Sequence, residues 1–89
     1  MSDTDESIAK LVSLLDGLIE DSSIPRNVRS AITNAKTKLT ANEDKLAALS
    51  GAIYALDEVS NDINMPMHGR TMIWNIMSEL EIMKEHLRQ

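Results

Sequence analysis

Within this chain, His68 is the residue best suited to move a proton or to hold an ion. It stands two positions after Pro66, with Asp62, Asn64 and Arg70 close by in sequence. A histidine beside an aspartate can serve as a general base or begin a metal site. An arginine next to a helix N-terminus grips anions, because unpaired N–H groups and the helix dipole also favour negative charge there. Asp62, Asn64, His68 and Arg70 therefore form a candidate corner for a small anionic ligand or for catalysis. Other residues weigh against that reading. His86 is the one other histidine, no His-x-x-x-His or Glu-x-x-His spacing occurs, and cysteine is absent, so a zinc site would have to borrow distant carboxylates. Glycine-rich phosphate loops and serine nucleophile elbows are missing as well. No catalytic residue, metal ligand or cofactor is assigned, and the expectation is a protein that is not an enzyme.

The charges around this corner occur twice. Residues 15–39 return as 56–80 with eight identities: Leu15/Leu56, Asp16/Asp57, Asp21/Asp62, Pro25/Pro66, Arg29/Arg70, Ile32/Ile73, Asn34/Asn75 and Leu39/Leu80. Residue frequencies alone would give roughly one or two. A charged set that is duplicated fits a repeated structural job better than a single active site. Asp16, Asp21 and Arg29, with Asp57, Asp62 and Arg70, are thus expected to clamp two helical hairpins, each arginine pairing with an aspartate across its own turn. His68 breaks the repeat, since its counterpart is Asn27.

Helices must carry these residues. Apolar positions recur at three-to-four spacing in four stretches, and no stretch alternates with period two. Helix 1 spans about 5–21 on Ile8, Leu11, Val12, Leu15, Leu18 and Ile19; helix 2 about 24–39 on Val28, Ala31, Ile32, Ala35 and Leu39. Helix 3 spans about 43–60 on Leu46, Leu49, Ile53, Leu56 and Val59; helix 4 runs from near 65 to the end on Ile73, Ile76, Leu80, Met83 and Leu87. Ser23 and Asn64, each two residues before a proline, suit the N-caps of helices 2 and 4, and Thr40 with Glu43 fits a capping box before helix 3. The upstream stripes match too (Ile8/Leu49, Val12/Ile53), so the repeat covers about 5–39 and 46–80 of a single domain, 1–89. Two αα-hairpins can close into a compact four-helix bundle or stack like HEAT units. A solenoid ordinarily needs three or more units, which favours the bundle.

The string from Ser60 to Glu81, with Asn64-Met65-Pro66-Met67-His68-Gly69-Arg70 at its centre, resembles the signature of a small archaeal protein family, UPF0147. Ile24-Pro25-Arg26-Asn27-Val28-Arg29 resembles that family's first turn, so the likeness spans the chain. The resemblance implies a small cytoplasmic helical-bundle protein. It carries no reaction, cofactor or site residue.

Composition narrows the partner. The formal charge is −5 and the chain has one tryptophan, one tyrosine and no phenylalanine, a poor basis for neutralising phosphates or stacking bases. A modest basic face on helix 2 (Arg26, Arg29, Lys36, with Lys38 nearby) reads as a solvated surface balancing helix 1. No run approaches the roughly 20 apolar residues of a membrane span, and Met1 to Glu6 do not resemble a signal peptide. Five of the six methionines fall in the last hairpin beside Trp74, whose counterpart is the polar Thr33. Methionine adapts to varied surfaces and tryptophan anchors interfaces. Met72, Trp74 and Met77 on helix 4 are therefore the candidate face for another protein or a second copy of this one, in the cytoplasm.

Overall fold

The computed structural model describes residues 3–41 and 44–88. It consists of four α-helices, α1 (Asp3–Ile19), α2 (Arg26–Ala41), α3 (Lys45–Asp57) and α4 (Met67–Arg88), with no strand among the described residues. Consecutive helices pack side by side, and α4 returns to touch α1. The helices thus form a compact four-helix bundle. Its long dimension of 37 Å is close to the roughly 33 Å expected of a 22-residue helix.

The stripes read from the sequence face inward. Leu15, Val28, Ile32, Leu49, Leu56, Ile73, Ile76 and Leu80 are essentially sealed, and all four helices supply one continuous core. Two assignments differ. Leu46 and Leu87 are exposed, whereas Ala48, Ala52 and Ala55 of α3 are buried. Helix α3 is apolar around most of its circumference, so period alone could not choose its inner face; the small side chains are inside because α2 lies close against them.

The helix starts also differ from expectation. The first intrahelical bonds run from Arg29 N–H to the Pro25 carbonyl (2.9 Å) and from Arg70 N–H to the Pro66 carbonyl (3.1 Å). Both helices therefore begin after the proline, at a position where the missing N–H costs nothing. Ser23 and Asn64 are not N-caps. They lie inside tight turns in which the backbone N–H groups of Ser23 (2.9 Å) and Asn64 (2.8 Å) donate to the carboxylates of Asp21 and Asp62. Thr40 does not open α3 either; it lies within α2 and its hydroxyl donates to the Lys36 carbonyl. Asp44 caps α3, accepting from the N–H groups of Leu46 and Ala47. Glu43, the other half of the expected box, lies outside the described residues.

The seams of the bundle are unequal. Helices α2 and α3 pack most extensively and α1 and α4 least. Positions 41 apart supply the reason. In the tight seam α3 presents Ala48, Gly51, Ala52 and Ala55, and the Lys38 stem lies where a Cβ on Gly51 would meet it at 3.3 Å. The counterparts on α1 are Ser7, Lys10, Leu11 and Leu14. These bulkier side chains, with Glu79 and Met83 of α4, line a cleft of about 320 Å³ between α1 and α4. One backbone plan thus yields a closed seam where the residues are small and an open one where they are large.

Candidate functional site

Both turns lie at one end of the bundle, and their polar residues reach across to each other. Asp21, in the first turn, accepts a hydrogen bond from His68 Nε2 at the start of α4 (2.8 Å). Asp62, in the second turn, accepts one from Asn27 Nδ2 at the start of α2 (3.0 Å). His68 and Asn27 are counterparts in the sequence, as are Asp21 and Asp62. Each hairpin therefore holds the other by the same exchange. Asp21 also accepts the Ser23 hydroxyl (2.6 Å). These bonds favour the ionised carboxylates. The Ser23 hydroxyl, then His68, hold Asp21 down to a pKa of about 2, and Asn27, then the Asn64 N–H, hold Asp62 below the usual carboxylate range.

The expected clamps take a different form. Arg70 Nη2 donates to the Asp62 backbone carbonyl (3.0 Å), so it ties its own turn through the main chain and not through a carboxylate. Arg29 forms no ion pair with Asp16 or Asp21. Asp16 instead pairs with Lys36 Nζ at 2.6 Å, while Asp21 is engaged by Ser23 and His68. Asp57 forms no ion pair among the described residues, because the position equivalent to Lys36 is Met77.

The candidate corner of Asp62, Asn64, His68 and Arg70 does come together, and most of its groups are committed to the turns, while the buried Nε of Arg70, like that of Arg29, has no hydrogen-bond partner among the described residues. His68 bonds to Asp21, Asp62 to Asn27 and the Asn64 N–H, and Arg70 to the Asp62 carbonyl. Among the described residues no three of His, Asp and Glu gather in a way that could hold a metal ion.

Helix α4 presents its apolar residues unevenly. At 100° per residue, Met72 and Trp74 lie about 160° apart, so Met72, Trp74 and Met77 do not share one face. Met72 and Met77 flank the core and pack partly against it, on opposite sides. Trp74 points outward, 49% exposed, and Met67, two turns before it on the same stripe, is 70% exposed. Tyr54 on the outer side of α3 (71%) and Ile63 in the second turn (89%) are exposed as well. In the first hairpin the four equivalent positions hold Ser13, Ser22, Arg26 and Thr33, all exposed and polar. All four contrasts can be read from the 41-residue offset, but only the exposure of these positions shows that the apolar member of each faces water.

The model for the uncharacterised protein family UPF0147 matches residues 1–83. The chain belongs to the UPF0147 family. It is 49% identical over 83 residues to the UPF0147 protein MJ1419 of Methanocaldococcus jannaschii, covering 91% of this chain and 89% of that one. A UPF0147 protein of Archaeoglobus fulgidus is 41% identical over 76 residues, 85% of this chain and 87% of the relative. Both organisms are archaea. A crystal structure of the unknown-function protein MMP1188 superposes with a TM-score of 0.82 at 43% identity, covering 91% of this chain and 92% of that one. The crystal structure of a UPF0147 protein from Thermoplasma acidophilum gives the same TM-score at 36% identity, over 92% and 99% of the two chains. Family membership thus brings a fold and an archaeal distribution, and no assigned function. No described helix of this UPF0147 chain is long and apolar enough to cross a membrane.

Proposed function

We propose that this UPF0147 chain is a non-enzymatic protein-interaction module of the archaeal cytoplasm, with the outer surface of its second hairpin as the contact face and Trp74 as the anchor. The observation that carries this reading is the contrast between the hairpins. Positions 13, 22, 26 and 33 are polar and exposed, so the fold asks for nothing apolar there. At positions 54, 63, 67 and 74 the same places in the architecture hold Tyr54, Ile63, Met67 and Trp74. Large apolar side chains left in water cost solubility, and four of them on one hairpin, where the other hairpin is polar, are what a contact surface would leave exposed. Tryptophan is among the residues that most often dominate binding energy.

The polar corner supports a structural role in place of a ligand-binding one, since His68 and Asn27 tie each turn to the opposite hairpin and Arg70 Nη2 ties its own turn, although the buried Arg70 Nε has no partner among the described residues. Replacing Trp74 by Thr, its counterpart, tests the reading. Association with partner protein should fall by at least about tenfold, the ordinary loss at a tryptophan hot spot of 1.4 kcal/mol or more, with helicity and Tm retained. Unfolding of the variant would instead make Trp74 a structural residue and remove the basis for the proposed face.

A further inference from the structure

We propose that the cleft between α1 and α4 is the interface of a symmetric homodimer, in which Lys10 of each copy faces Glu79 of the other. This inference is independent of the second-hairpin surface, which lies on the far flank of α4.

The cleft is a product of side-chain choice and not of the backbone plan. Where α2 meets α3, alanine and glycine at positions 48, 51, 52 and 55 let the helices close, with the Lys38 stem laid over Gly51. Where α4 meets α1, the equivalent places hold Ser7, Lys10, Leu11 and Leu14, and the position equivalent to Lys38 holds Glu79. The seam that stays open is apolar below and charged at its walls. Leu11 is buried at its floor, Met83 is half-buried, and Leu14 is exposed.

Lys10 and Glu79 stand on opposite walls, carry opposite charge and do not form an ion pair with each other. That arrangement is self-complementary. A two-fold axis parallel to the helices places α1 of one copy against α4 of the other and brings each lysine opposite a glutamate. Leu14 of both copies is then covered. A face bearing one sign of charge would repel itself under the same operation, whereas this one attracts. Two-fold dimers are the commonest assembly of soluble proteins, and they require one patch that complements itself.

The test is the oligomeric state of the full chain by sedimentation velocity over a concentration series, for the wild type, Lys10→Glu, Glu79→Lys and the double exchange. The expected result is a wild-type dimer whose Kd rises by roughly tenfold or more in each single reversal and returns to near the wild-type value in the double exchange. Added salt should weaken the wild-type dimer, and Trp74→Thr should leave it intact. Both reversals alter exposed side chains, and circular dichroism checks that they fold. Leu14→Ala, which installs the residue found at position 55, is the uncharged variant expected to weaken the dimer by the same route. A wild-type chain that stays monomeric throughout would overturn the proposal. So would a dimer indifferent to both reversals, or one not restored by the double exchange.

Discussion

At the scale of single residues, the most informative side chain is Asp21. It accepts bonds from the Ser23 hydroxyl and from His68, and its pKa is lowered to about 2 from the ordinary 3.8. A carboxylate depressed on folding adds stability that is fully present above its unfolded pKa and disappears as the pH falls through the folded value. The Tm of the wild type should therefore fall between about pH 4 and pH 2, with Asp62 contributing in the same direction. Asp21→Ala should lower Tm at neutral pH and flatten this part of the curve. Identical curves for the two proteins would show that the bond between the hairpins adds nothing. The glycines give a second contrast. A Cβ on Gly17, exposed within α1, meets nothing within 4 Å, whereas one on Gly69 meets Ile24 at 3.2 Å and Met65 at 3.3 Å. Gly17→Ala should stabilise by about 0.5–1 kcal/mol in denaturant titrations. Gly69→Ala should fall short of that gain, because two buried side chains must move.

At the scale of elements, the bundle is governed by which seam carries small residues. Ala52 and Ala55 admit α2 closely, and Leu11 and Leu14 hold α4 away from α1. Ala55→Leu, which gives α3 the residue found at position 14, should cost about 1–3 kcal/mol by overpacking the tight seam. A cost near zero would mean that the seams differ for another reason. Much of this level was legible in the sequence. The stripes of α1, α2 and α4 named most of the core, and the 41-residue offset marked both turns. Less visible was the inner face of α3, because an element with Ala47, Ala48, Ala52 and Ala55 among leucines has no single apolar stripe to read. Nor does the sequence show that the turns exchange bonds. The spacing of Asp21 and Arg29 suggested pairing within a hairpin, whereas the hairpins meet at one end and Asp21 finds His68, which is 47 residues away.

At the scale of the whole molecule, the two hairpins have matching turns 41 residues apart and differ in their surfaces. The first is polar where the second shows Tyr54, Ile63, Met67 and Trp74. The notable apolar content of α4 was visible in the sequence, but the grouping of Met72 with Trp74 was not sustained, since helical geometry sends them to opposite flanks. Only burial separates the methionines that pack against the core, Met72 and Met77, from Met67, which faces water. The difference between hairpins also supplies its own control. Replacing the four exposed residues by their first-hairpin counterparts (Tyr54→Ser, Ile63→Ser, Met67→Arg and Trp74→Thr) asks each position to hold a residue type that already occupies the same place in this architecture.

The most direct measurement is therefore quantitative affinity capture from host lysate, comparing the wild type with this four-residue exchange at matched Tm. A protein retained in stoichiometric amount by the wild type and lost with the exchange, the fold being intact, is the predicted result. Equal retention by both proteins, or no retention by either, would contradict the assignment of this surface to partner binding.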